Sequence, residues 1–407
     1  MRTENEIALI IINANILTMA DRNYDSGYIC IRDGLIVSIG EMSDYPQIDV
    51  EYSTPIINVA GASVIPGLID CYTHIGLIEE GAGFIGDDSN ETGQTVSSQL
   101  RVIDGINPMD RAFSRARENG ITTVAVAPGD NNIIGGQMAV LKTCGNNIDQ
   151  MMLTESVGIK ASLGDSPKQS GRALNKSPQT RMANAAILRE TLIETIEYQK
   201  HQYKLKDQYR LNIESELKLL PMTKVLKKEK PIFIRANRSD DIITAVRIAN
   251  EFDIKIIIVQ GAEGFLVHEI ILHNEIPIIA GPLLSCCRNP DAINQQIDSI
   301  ADLISKGILI ALSSSYPHMP LSLLRISAAF ASNERMTANQ ALKTITINAA
   351  RILNLDDRIG SIEIGKDADL VMFSGRPLDA LSRVVYTIID GKIVYQKAAK
   401  ADTQKKW

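Results

Sequence analysis

The stretch PIFIRANRSDDIITAVRIANEFDIKIIIVQG (231–261) contains the unit that decides the fold. PIFIRAN (231–237) is short, rich in Ile and Phe, and closes on polar residues, as a strand buried on both faces does. Ser239 then stands at a helix N-cap position, and Ile242, Val246 and Ala249 follow at i, i+4 and i+7 as one apolar stripe. KIIIVQG (255–261) returns to the strand pattern, so the segment predicts strand, helix, strand.

The same kind of run recurs on both sides, at VIPGLID (64–70), ITTVAVAPG (121–129), MAVLKT (138–143), SVGIKASLG (156–164), PIIAGPL (277–283) and GILIALSSS (307–315). Helical punctuation lies between several of them. Pro290 suits a first helical residue, and Gly307 closes a helix carrying Ile297, Ile300, Leu303 and Ile304. Thr337 and Gln340 have capping-box spacing ahead of Ala341 and Leu342. Eight buried strands, mostly helix-linked, over about 250 residues predict an α/β chain built as a (β/α)8 TIM barrel, with a doubly wound sheet as the alternative.

The two ends read differently. ALIIINANIL, GYICIRDGLIVSIG, ADLVMFSG and VVYTIIDGKIVY are short strands with turns at Arg32-Asp33-Gly34 and Asp390-Gly391-Lys392. Residues 1–62 and 353–407 are therefore expected to form one composite β-sandwich, leaving 63–352 for the barrel. The stretch from about 196 to 230, rich in Lys, Glu, Gln and Tyr, predicts an exposed helical insertion between the fourth and fifth strands. The Lys-rich end at 400–406 reads as a solvated tail.

Composition removes several function classes. The chain has 407 residues, 45% hydrophobic and 22% charged, which excludes disorder or low complexity as a description of the whole. Lys and Arg number 42 against 48 Asp and Glu, a net charge of -6, so no basic footprint for nucleic acid exists. No apolar run reaches the roughly 18 residues of a membrane span. The start, MRTENEIALIIINANIL, reads as a strand and not as a signal peptide. Five cysteines, scattered except for Cys286-Cys287, give no disulfide framework. The expectation is a soluble, cytoplasmic protein with no nucleic-acid or membrane partner.

Several longer motifs are recognisable. VIPGLIDCYTHIG (64–76), NAARILNLDDRIGSIEIGKDADLVMFSG (348–375) and DGKIVY (390–395) resemble the amidohydrolase superfamily, in its imidazolonepropionase-like branch. GGQMAVLKT (135–143), GIKASLGDSPK (158–168), PQTRMANAAILRE (178–190) and ANRSDDIITAVRIANEF (236–252) resemble that branch too, so the likeness spans nearly the whole chain. The resemblance implies a barrel with a terminal β-sandwich and a metal-dependent hydrolase of C–N bonds in cyclic or linear amides. Its metal polarises a carbonyl and lowers the pKa of bound water from near 16 toward about 7. It also implies the ligand set: a His-x-His ending strand 1, a His on each of strands 5 and 6, and an Asp ending strand 8 that doubles as general base. Some members add a carboxylate or a carbamylated lysine on strand 4.

Carried onto this chain, that set is mostly substituted. Tyr72-x-His74 stands for the His-x-His, Arg235 for the strand-5 His, Gln260 for the strand-6 His, and Ser315 for the base and ligand Asp. Gln and Ser are weak neutral donors, and Tyr binds metal only as a phenolate, whose reference pKa is near 10. Arg has no lone pair to give. A fixed positive charge about 4 Å from a divalent ion, at an effective dielectric near 20, costs roughly 8 kcal/mol. No metal cofactor is therefore expected, and the protein reads as a small-molecule-binding or assembly protein, a homo-oligomer or the partner of an active relative. The alternative is a C–N hydrolase acting on a cyclic amide, N-acyl or dipeptide-like substrate, with one Zn, Fe or Mn ion on His74 and Asp165.

Around that core, Asp165 is expected to pair with Arg235 or Lys168 and to place side-chain charge where the ion sits. Strand alternation puts Asp70, Tyr72 and His74 on one face, with Cys71 and Thr73 on the other. Lys160, Lys168 and Gln137, the last in the loop NNIIGGQ (131–137), are further candidates for the pocket. Lys160 reads as an ordinary lysine. Cys71, Cys286 and Cys287 read as free thiols, and His201, His268, His273 and His318 as structural.

Overall fold

The computed structural model describes residues 8–45, 54–204, 213–285, 290–332 and 335–398. The chain begins in a sheet made of β1 (Leu9–Ile16), β2 (Tyr24–Arg32), β3 (Leu35–Glu41), β4 (Ile56–Asn58) and β5 (Ser63–Pro66). A second sheet follows: β6 (Leu68–Thr73), β7 (Ile121–Val126), β8 (Ile134–Lys142), β9 (Met152–Ser162), β10 (Ile232–Ala236), β11 (Ile256–Gln260), β12 (Ile278–Ala280) and β13 (Ile310–Leu312). The chain then returns to the first sheet with β14 (Leu370–Phe373), β15 (Val384–Ile389) and β16 (Lys392–Gln396).

The eight strands from β6 to β13 pair in sequence order. The two ends of that sheet meet through side chains. The Cys71 thiol donates to the Leu312 carbonyl, and Asp70 accepts from the hydroxyls of Ser313 and Ser314 just beyond β13. The expected barrel forms, with one departure. β8 runs antiparallel to both β7 and β9, because the link from Val126 to Ile134 is too short for a helical crossover. Every strand sends apolar side chains into the barrel interior, among them Cys71, Ala125, Met138, Val157, Phe233, Val259, Ile279 and Ala311. Ile234, Ile258 and Ile310 join a larger cluster with helical side chains such as Ile242, Ala245 and Ile300. That two-sided burial is why these strands read as unbroken apolar runs.

Helix starts differ in detail from the sequence signals. The capping box of Thr337 and Gln340 is present. Ser239 is the first residue of its helix, Ser239–Phe252, and donates N–H and O–H to the Glu263 carboxylate instead of capping. Pro290 opens only a short 3-10 turn, and the following helix is Ser299–Ser305. The insertion is two helices, Arg181–Lys204 and Ile213–Leu226, and its second helix is not wholly exposed, since Leu219, Met222 and Val225 are buried. No helix among the described residues is long and apolar enough to cross a membrane.

The terminal strands form one continuous sheet, in the order β16-β15-β14-β5-β1-β2-β3, with β4 beside β1. Residues from both ends, including Ile11, Ile29, Leu370 and Ile388, share its core. The sheet extends beyond residue 62, because β5 pairs with β1 and β14. Gly67 marks the passage into the barrel, and a Cβ there would lie 2.0 Å from the Thr122 hydroxyl. Lys142 at the end of β8 ties the two sheets, contacting Asp367, Asp369 and Asp390 at 2.9, 2.7 and 3.0 Å.

Candidate functional site

The C-terminal ends of β6, β10 and β11 and the β7–β8 link meet at the barrel mouth. Strict alternation fails in β6. Its pairing with β7 slips between Asp70 and Thr73, so Tyr72 turns toward the interior while Asp70 faces Ser313 and Ser314. Gln260 and Ser315 both adopt left-handed backbone, at φ 71° and 47°, conformations uncommon for such residues and often found at functional sites.

The centre of the mouth is a carboxylate that the sequence reading missed. Asp130, in the β7–β8 link, pairs with two cations: Lys160 Nζ lies 2.7 Å from Oδ1, and Arg235 Nε, whose N–H is donated to Gln260, lies 3.1 Å from Oδ2. The Tyr72 hydroxyl also donates to Asp130 Oδ1, at 3.0 Å. Arg235 Nε further contacts Gln260 Oε1 at 2.9 Å, and Asn237 Nδ2 donates to the same oxygen at 2.7 Å. Lys160 Nζ donates to Ser162 Oγ at 2.6 Å and lies 5.8 Å from the Tyr72 ring centre. The anchor is long-range in sequence, but an acidic residue in the short link beyond a barrel strand, as in VAPGD (126–130), is the available signal for it.

The electrostatics follow from burial. Burial alone would raise the Asp130 carboxyl, but Lys160 and Arg235 outweigh it and hold the group well below the usual carboxylate range. Burial pulls Lys160 below the usual amine range, with Asp130 opposing that fall. Burial, reinforced by the Asp130 charge, keeps the Tyr72 phenol protonated far above neutrality. His74 Nδ1 lies 2.8 Å from the Ala127 carbonyl, an acceptor only, so Nδ1 carries the proton. Burial brings the His74 pKa down to about 4, leaving a neutral ring with its lone pair on Nε2.

Several of these groups border a cavity of about 790 Å³, whose wall includes His74, Asp130, Arg235, Asn237, Gln260 and His318. His318 lines the same wall, and its ring sits edge-on to His74 at 6.2 Å. A second cavity of about 630 Å³ lies at the opposite end of the barrel, by Pro231, Ile256 and Pro277, away from all of this chemistry.

Other predicted residues fall elsewhere. Asp165 opens the helix Asp165–Ala173 and pairs with Lys168 at 2.6 Å and Arg181 at 3.7 Å, so Arg235 has a different partner. Its surroundings are those cations and Arg172, whereas His74 faces Asp130, His318 and Lys160. Lys168 is therefore outside the central network. Gln137 lies within β8 and donates to the Ser98 carbonyl at 3.4 Å, because the strand begins at Ile134 and shortens the expected loop. His268 contacts Phe265 and Lys306, and His273 ends a short helix. Cys71 is a buried free thiol. Cys286, Cys287 and the His201 side chain lie outside the described residues.

The donor set can be tested against a catalytic divalent ion, which takes three protein ligands with free lone pairs. His74 offers Nε2. Both Asp130 oxygens are already engaged by cations and a phenol, and Gln260 Oε1 accepts two N–H bonds. Ser315 Oγ is buried and has no hydrogen-bond partner. Among the described residues no three His, Cys, Asp or Glu side chains are grouped to hold a metal ion. The residues present do not fit such an ion.

Comparison with known proteins places this site in context. Residues 63–394 match the model of the amidohydrolase family. The crystal structure of an amidohydrolase from Thermotoga maritima MSB8 superposes with a TM-score of 0.89 at 34% identity, covering 96% of this chain and 100% of that one. Imidazolonepropionase from Shewanella frigidimarina is 24% identical, over 89% of this chain and 91% of its own length. Amidohydrolase tasK from Hapsidospora irregularis is 22% identical over 90% of this chain, which spans only 39% of that protein.

Proposed function

The chain belongs to the amidohydrolase family, and from that premise we propose that its barrel mouth binds a small polar molecule without metal-dependent hydrolysis. Members of the family usually carry a divalent metal. In this chain the Lys160–Asp130–Arg235 cluster supplies fixed charge of its own at the mouth, and that cluster is the observation supporting the reading. An entering ion would have to take Asp130 from two cations while remaining beside a guanidinium that cannot deprotonate.

The proton chemistry supports the same reading. Hydrolysis near neutrality needs a base with a pKa close to the working pH. His74 has its pKa lowered to about 4, and Asp130 is held lower than an ordinary carboxylate with both oxygens occupied. Ser315, at the position of the family's base, has only a neutral hydroxyl. The alternative, a hydrolase with its ion on His74 and Asp165, meets two side chains in separate surroundings.

Calorimetric titration of zinc and of manganese into EDTA-treated protein tests the proposal. The expected result is no stoichiometric site. A one-to-one site of micromolar or tighter affinity, removed by His74→Ala together with hydrolysis of a cyclic or N-acyl amide, would overturn it.

A further inference from the structure

From the charge count at the mouth we infer that its ligand is a small monocarboxylate, seated on the Arg235 guanidinium and donating an N–H to His74. The inference rests on the metal-free reading above and names the class of molecule that reading leaves open.

Lys160 and Arg235 are both buried, at 0% and 1% exposure, and they share a single carboxylate, Asp130. Two cations against one anion leave the centre with an excess positive charge. Buried charge without a counter-charge is costly, so an anion entering the cavity is held by more than a surface ion would be. The other acids near the mouth are not paired with these cations: Asp70 is committed to Ser313 and Ser314 across the barrel seam, Asp165 to Lys168, and Asp87, on the cavity wall, accepts from the Ser89 N–H and hydroxyl.

The place for the anion is marked by Arg235. Its guanidinium borders the cavity, its Nε is taken by Asp130 and Gln260, and its buried Nη1 has no hydrogen-bond acceptor. A guanidinium fork matches the two coplanar oxygens of a carboxylate, and a single negative charge matches the single excess positive one. A phosphate dianion would overshoot that balance. The neighbouring wall adds a second point of recognition. His74, with its proton on Nδ1 toward Ala127, presents an acceptor at Nε2. A ligand carrying an amide N–H a few ångströms from its carboxylate satisfies both.

The test compares N-acetylglycine, its uncharged analogue N-acetylglycinamide, and inorganic phosphate as probes of the full-length, EDTA-treated protein by calorimetry at neutral pH. N-acetylglycine is expected to bind at least about tenfold tighter than the amide, as a charge-assisted hydrogen bond gives, and tighter than phosphate. Arg235→Gln should abolish the preference. Because Arg235 is buried and its replacement can unfold the chain, a crystal of the wild-type protein with N-acetylglycine provides an independent reading. Its carboxylate should lie within hydrogen-bond distance of the Arg235 guanidinium. Equal binding of acid and amide, preference for phosphate, no binding of any probe at roughly 10 mM, or a carboxylate seated elsewhere would overturn the inference. Metal content measured on the same preparation before EDTA separates the two proposals. Stoichiometric metal defeats the metal-free reading, whereas metal-free protein without carboxylate preference defeats this inference alone.

Discussion

Replacing Asp130 with Asn removes the only carboxylate of the central cluster while keeping its shape and its hydrogen bond to Tyr72. Lys160 and Arg235 are then left buried beside one another without a counter-charge. Breaking a buried pair by removing one partner costs about 3–5 kcal/mol. With an unfolding entropy of about 2.1 cal/mol/K per residue, 4 kcal/mol over a chain of this length lowers Tm by about 5 °C. The loss has a pH signature. The Asp130 carboxyl is held below its ordinary value, so its contribution is complete above about pH 4 and disappears as pH falls through the folded value. On the alkaline side, burial lowers the Lys160 pKa, and loss of Asp130 lowers it further. The deficit should therefore shrink as pH rises through the alkaline range, by up to about 1.4 kcal/mol per unit. Urea denaturation at pH 5, 7 and 9 provides the readout. Adding Lys160→Met to Asp130→Asn should recover at least half of the loss, since one buried cation is removed. A loss below about 1 kcal/mol at pH 7, or no recovery in the double variant, would refute the reasoning.

Three further outcomes are expected. NMR titration of the histidines should show His74 neutral down to about pH 4, because burial lowers its pKa; stability carried by the neutral ring falls as pH drops from about 6.5 toward that value, and a midpoint above 6 contradicts the assigned surroundings. Lys142→Met leaves the buried Asp369 carboxylate without its cation, while Asp367 keeps Arg358, and should cost about 3–5 kcal/mol. Because burial already raises Asp369 to about 6, that loss should be smaller at pH 5 than at pH 8, and a pH-independent loss in urea titrations argues against it. The combined variant Tyr72→His, Arg235→His, Gln260→His and Ser315→Asp should take up zinc, measured by elemental analysis; a folded variant that takes up none removes the assignment of these four positions.

The strands were legible because barrel strands are buried on both faces, so PIFIRAN and KIIIVQG announce themselves without help from their neighbours. The direction of β8 was not, since an apolar run carries no sense of orientation; only the short link before Ile134 encodes the reversal. The faces of β6 were misassigned for a local reason, a register slip that alternation cannot anticipate. Resemblance singled out Tyr72, Arg235, Gln260 and Ser315 as candidates, and Tyr72, Arg235 and Gln260 do converge at the mouth. Their shared partner could not, because Asp130 reaches Lys160 and Arg235 only once the barrel brings β9 and β10 beside the β7–β8 link. The same holds for His318, which gains its place only through the edge-on contact with His74. Short-range pattern thus gives the scaffold, whereas the charge pairing in the mouth is a property of closure.

Crystals grown in zinc and measured with anomalous scattering test the central claim most directly. The account predicts Lys160 and Arg235 both on Asp130 and no anomalous peak in the mouth. A peak about 2.1 Å from His74 Nε2, with Asp130 turned onto it and Lys160 displaced, would contradict it.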